Sequence, residues 1–185
     1  MTSKSLTLIS TAVLALAAAG AQAQTAATTD SSAPKLAHQD ASFLRDASEA
    51  NNAEVAAGKL AVAQSQSADV KTFAQQMVDD HSKAEDELKA LASQKGVKVS
   101  DKPSMMERTE TKILSERKGS SFDQHYAESD GVKAHADAIK LFQKEADKGQ
   151  DADVKAWAQK MMPGLQKHQQ MANDLKTKTD AEPKS

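Results

Sequence analysis

Residues 69–81, DVKTFAQQMVDDH, decide how the rest of the chain is read. Val70, Phe73, Ala74 and Met77 recur at helical spacing and share one face. His81 is the next member of that stripe, and Ala84 and Leu88 continue it. A titratable ring thus stands where the pattern asks for an apolar side chain. The phrase returns at residues 153–159, DVKAWAQ, followed by Met161 and, further along the same stripe, His168. The function is expected to lie in these two histidines and their neighbours.

Outside this core phrase the chain of 185 residues has room for one domain with accessory segments. Residues 1–23 read as a signal peptide. Lys4 precedes an apolar run at 6–19, and Ala21-Gln22-Ala23 is a small-x-small cleavage signal. The run is too short and Ala-rich for a membrane anchor, so no transmembrane anchor is expected in the mature chain. A periplasmic or secreted protein follows. Residues 24–38, rich in Thr, Ser and Ala, read as a disordered linker. Cysteine is absent, which excludes disulfides, thiolate metal sites and thiol catalysis. The formal charge of −2 is interspersed and forms no basic block, so nucleic acid is not an expected partner. Few aromatics and abundant alanine suit closely packed helices.

The periodicity predicts an all-α domain over 39–176 and a frayed polar tail over 177–185. The first helix starts near Asp40, an N-cap candidate, and carries Phe43, Ala47, Ala50, Glu54, Ala57 and Ala61 on one stripe. Ser67 caps the second helix, and Gly96 ends it. Ser104-x-x-Glu107 is a capping box for a short extra helix from Met105 to about Arg117. The third long helix runs from about Ser121 to Lys148, with Gly131 loosening its middle. Its stripe is Val132, His135, Ile139, Phe142 and Ala146. The fourth is capped by Asp151 or Asp153 and ends near Leu175, with a kink expected at Pro163-Gly164.

The echo of DVKxxAQ extends upstream, so the second half reads as an internal repeat of the first. In that alignment Glu54 pairs with His135 and His81 with His168. Two helical hairpins then stack as a four-helix bundle. At ~1.5 Å of rise per residue, all four residues lie roughly 20 Å from the helix ends, in one middle layer.

Glu54, VKTFAQQMVDDH at 70–81, FDQHY at 122–126, the mid-helix His135 and VKAWAQKMMPGLQKH at 154–168 together resemble the domain-of-unknown-function family 4142. The likeness covers residues 43–175. It implies an exported bacterial protein with a ferritin-like four-helix bundle, and no established activity. Di-iron ferritin-like sites use Glu-x-x-His pairs. Here the residues three before His81, His135 and His168 are Val78, Val132 and Leu165, which speaks against a di-iron centre.

Three imidazoles and a carboxylate in one layer suit one transition-metal ion: Zn, Cu, Ni, Fe or Mn. The expected ligands are Glu54, His81, His135 and His168, with Asp80 and Glu85 as supporting or replacement groups. The competing reading is a buried polar network that satisfies itself without metal. Met161 and Met162 beside Pro163 read as core filling rather than soft copper ligands. His125 is expected exposed, and the Tyr126 hydroxyl bonded. The leading functional reading is an exported, non-catalytic or weakly catalytic bundle protein of unknown activity, with a core able to take a metal ion and a role in envelope or stress physiology. The alternatives are a metal-dependent oxidoreductase acting on peroxide or a metal ion, and a helical module that binds an envelope protein or a second copy of itself.

Overall fold

Ser67 starts the second helix as its chemistry dictates: its hydroxyl accepts from the Val70 amide at 3.5 Å. The computed structural model describes residues 36–182, so the signal peptide and all but the end of the linker lie outside the described residues. The elements are α1 (His38–Gln64), α2 (Ala68–Gln94), α3 (Met105–Ser115), α4 (Gly119–His125), a π-helical segment (Tyr126–Lys133), α5 (Ala134–Lys148) and α6 (Ala152–Ala181). The last α4-to-α5 run occupies the place of the single third helix expected from sequence. The four-helix bundle expected of this chain forms, with the short α3 between its second and third long members. No described helix is long and apolar enough to cross a membrane.

Local chemistry explains most boundaries. Gly96 adopts φ 67°, and the Gly96 and Val97 amides bond back to Ser93 and Ala92, closing α2 in a Schellman turn. Ser104 and Glu107 form the reciprocal capping box of α3. Asp151 caps α6 by accepting from the Asp153 and Val154 amides.

Three expectations need correction. Asp40 does not cap α1, which begins at His38; its buried carboxylate instead accepts from the Gln150 and Asp151 amides, tying α1 to the loop before α6. The third helix is not α throughout, because residues 126–133 widen into a π-helix. Pro163, where a kink is expected, lies inside α6 as the sequence places it. The ring sits on the exposed face beside exposed Gln159, whose carbonyl water can satisfy when the proline nitrogen cannot. Finally, α6 continues to Ala181 instead of fraying after Lys176. Thr179 is buried and its carbonyl accepts from Gln124, while Lys178 pairs with Asp69 and Lys176 with Glu128. These partners lie far away in sequence, so composition alone made the last turns look free.

Helices α1 and α2 pack as one hairpin, α5 and α6 as the other. Their interior holds two apolar clusters. One gathers Phe43, Leu44, Leu88, Phe142, Val154, Trp157 and Leu165, with Phe43 and Phe142 edge to face at 5.0 Å. The second gathers Ala61, Val70, Phe73, Met77, Leu114, Phe122, Tyr126 and Leu175. In every long helix the residues between the two clusters are polar and buried: Ser48, Asn51 and Glu54, then His81 and Glu85, then His135, then His168. The core is therefore two apolar blocks separated by one polar layer.

The hairpin α1–α2 needs a glycine to close. A Cβ on Gly58 would lie 2.8 Å from Val78 Cγ2 and 3.0 Å from the Ala74 carbonyl oxygen. Gly58→Val is expected to lower stability by about 1–3 kcal/mol through overpacking. Urea unfolding checks this; an unchanged midpoint would show that α1 and α2 do not need that close approach.

Candidate metal centre

Each histidine of the polar layer is held from outside by a group that only accepts. His81 Nδ1 lies 3.0 Å from Asn51 Oδ1. The orientation of Asn51 follows from its other end, where its amide nitrogen donates to Glu85 Oε2 at 3.4 Å. Glu85 also accepts from Ser48 at 2.7 Å and Asn52 at 3.2 Å. The amide oxygen is thus turned toward His81, so the imidazole donates from Nδ1 and keeps its lone pair on Nε2.

His135 Nδ1 donates to the Gly131 carbonyl at 2.8 Å. The π-helical turn supplies this acceptor. Within it the Ala134 amide bonds five residues back to Ser129, which displaces the amide partners that α-helical carbonyls would have. Gly131 also lies against α6, where a Cβ would come within 3.2 Å of Ala172 Cβ. His168 Nε2 donates to Asp80 Oδ2 at 2.9 Å, a carboxylate–histidine pair at the edge of the layer.

What remains is one free nitrogen on each ring: His81 Nε2, His135 Nε2 and His168 Nδ1. All three are buried and have no hydrogen-bond partner. The three rings sit with centroids 5.4–5.5 Å apart, and one ring nitrogen of each lies within 4.8 Å of the others. Burial, and then the nearness of His135 and His168, holds His81 well below the ordinary imidazole range. Burial likewise pulls His135 down to about 4, against the opposing pull of the Gly131 carbonyl. These two rings are neutral at physiological pH. Neutral rings offer the lone pairs that a metal needs.

The sequence-derived set is brought together unevenly. Glu54 is buried in the layer, but its Oε1 lies 3.7 Å from His135 Nδ1, the nitrogen already engaged, and it is not among the mutually close donors. Its Oε2 has no partner. Burial, then the charges of Asp130 and Glu107, keeps this carboxyl well above its usual range. Asp80 touches His168 directly. Glu85 reaches His81 only through Asn51, and burial raises its carboxyl against the bonds from Ser48 and Asn51.

Sequence reasoning missed Asn51 and the Gly131 carbonyl. Two adjacent asparagines, Asn51-Asn52, in the middle of a helix were the available signal, since asparagine is a poor helix former. His125 is half-buried rather than exposed, and burial lowers it. The Tyr126 hydroxyl is buried without a hydrogen-bond partner, contrary to the bonded hydroxyl expected. Met161 and Met162 pack against the apolar cluster around Trp157.

A cavity of about 540 Å³ opens against this layer from the side of α3, and Asn51, Glu54, His81, His135 and Leu165 are among its walls. The molecule is thus a helical bundle with a three-histidine layer and a cavity beside it. The chain belongs to the family described as Domain of unknown function (DUF4142), which matches residues 15–175. No curated protein matches the chain. Among solved structures it is similar to a putative secreted protein, DUF305, from Streptomyces coelicolor. The TM-score is 0.65 at 17% identity, over 80% of this chain and 96% of that one. At that identity the likeness speaks for the fold alone.

Proposed function

We propose that this is an exported protein whose three-histidine layer binds one transition-metal ion, with His81 Nε2, His135 Nε2 and His168 Nδ1 as its donors. One observation carries the reading. Asn51 Oδ1, the Gly131 carbonyl and Asp80 each engage one nitrogen of a ring, which leaves the second nitrogen of all three rings for the space between them. None of these three inward nitrogens has a hydrogen-bond partner, so the layer does not satisfy itself as it stands. A cation resolves it. Tetrahedral Zn–N bonds place nitrogens ~3.4 Å apart, a modest contraction of the observed cluster. Nitrogen donors of this kind suit Zn or Cu, with Ni, Fe and Mn further choices. Glu54 lies on the Nδ1 side of His135 and outside this group of donors, so the three nitrogens alone are assigned to the ion. The leader pattern and the family's exported character support the location.

Elemental analysis of the full chain, expressed without an affinity tag, tests the proposal. About one transition-metal ion per chain is expected. Metal well below that level, with no uptake on incubation with Zn(II), would sink it. The cavity favours a second reading, in which the ion keeps a position open to a small ligand, as catalytic metal sites do. Peroxide turnover by the loaded protein, lost in His135→Ala, would place it among metal-dependent oxidoreductases.

A further inference from the structure

The cavity is far larger than an ion requires. At about 540 Å³ it falls in the range of small-molecule sites, roughly 300–1,000 Å³. Its walls are of two kinds. Met106, Ile113, Leu141, Phe142 and Leu165 make an apolar side. Met105, Met106 and Ile113 are the large apolar side chains most exposed among the described residues, and two of the three lie on this cavity. Helix α3, which carries them, buries only Leu114. The apolar lip is therefore not explained by packing within the chain.

The other side is acidic. Asp46, Glu54, Glu107, Glu110, Asp130 and Asp137 line the cavity against a single cationic side chain, Lys133. Glu107 is engaged in capping α3 and Asp137 pairs with Lys140. Among the described residues, no lysine or arginine forms an ion pair with Glu54, Glu110 or Asp130. An acidic lining alone would mean little. Glu54 adds the second observation: it is 7% exposed, lines the cavity, and leaves Oε2 without a partner. A buried carboxyl without a cation is costly, and a positive ligand would relieve Glu54 while its charge is shared with the partly exposed Asp130.

We propose that this cavity binds a small organic cation, an amine or guanidine with an apolar body, whose charged end meets Glu54 and Asp130 and whose body lies against Met106, Ile113 and Leu165. The division of the walls selects this class. An inorganic ion would leave the apolar side uncovered, a neutral apolar ligand would leave the carboxyls unpaired, and an anion would be repelled. The inference stands whether or not the histidines hold a metal.

Titration calorimetry on the chelator-treated full chain tests it, because amine–metal ligation is then excluded. The probes are 2-phenylethylamine, 2-phenylethanol and phenylacetate, alike in body and differing in charge. The amine is expected to bind at one site per chain, at least ~10-fold tighter than the alcohol, with phenylacetate weaker still. Asp130→Asn is expected to weaken the amine ~10-fold and leave the alcohol unchanged. Ala138→Phe, which fills the cavity from α5, is expected to abolish binding of both while helical circular dichroism stays the same. Equal binding of all three probes, or binding indifferent to both substitutions, would overturn the proposal. So would no amine binding by a folded chain, including the case in which Zn(II) alone titrates to an Asp130-dependent site. Failure of the histidine site would show in metal content instead, which this experiment does not read.

Discussion

His81→Ala is expected to weaken Zn(II) binding by ~10²–10³-fold. A four-ligand structural zinc site gains roughly 10–16 kcal/mol, so one ligand accounts for ~3–4 kcal/mol, which is that change in Kd. His135→Ala and His168→Ala should match it, because the three rings contribute equivalent donors to one centre. The groups behind them should matter less and in a graded way. Asn51→Leu removes the acceptor that sets the His81 tautomer, and Asp80→Ala removes the one behind His168. Each is expected to cost about 10–100-fold. His125→Ala, outside the layer, should leave affinity unchanged. Competition against a chromophoric chelator measures the whole series. Equal affinity across the three histidine variants and the parent chain would remove the metal centre.

The acid limb of stability gives the second large effect. His135 is fully buried, and its folded pKa of about 4 lies below the ordinary unfolded value of 6.5. Above pH 6.5 both states hold a neutral ring and this group adds no pH dependence. Between 6.5 and about 4 the unfolded chain takes up a proton that the folded chain refuses, so the metal-free protein loses stability as pH falls. At about 1.4 kcal/mol per unit the loss reaches about 3 kcal/mol near pH 4. Glu54 works in the opposite direction. Its raised carboxyl favours the folded state in acid, and that advantage declines as pH rises through the folded pKa from the ordinary range near 4.5. The contrast between the parent chain and His135→Leu isolates the histidine. In chelator-treated protein the variant should lack the loss between pH 6.5 and 4 by about that amount. Parallel curves from urea unfolding at successive pH values would show that the ring does not resist protonation in the fold.

The helices were legible because their signals are local. The stripe Val70, Phe73, Ala74, Met77 identifies α2, and Ser67, Ser104 with Glu107, Gly96 and Asp151 mark ends through bonds to amides a few residues away. The errors have one common source. Asp40 looked like a cap but is bound to amides more than a hundred residues on. The turns after Lys176 looked free but are held by Gln124, Asp69 and Glu128. The π-helical segment left only Gly131 as a trace, and the neighbour that crowds this glycine, Ala172, lies on another helix.

The sequence by itself determined that four long helices form, and that a polar residue interrupts each apolar stripe at similar depth. Periodicity suffices for that, since side-chain facing repeats every 3.6 residues whatever the helices later meet. Only the tertiary structure decided which polar residues meet. It brought His81, His135 and His168 together, set Glu54 against the engaged nitrogen of His135, and placed Asn51, the Gly131 carbonyl and Asp80 where each turns one ring inward. The physical reason is directional. A stripe gives the face on which an imidazole lies, but its tautomer and the aim of its lone pair follow from one hydrogen bond to a partner on another helix or on a rewound turn.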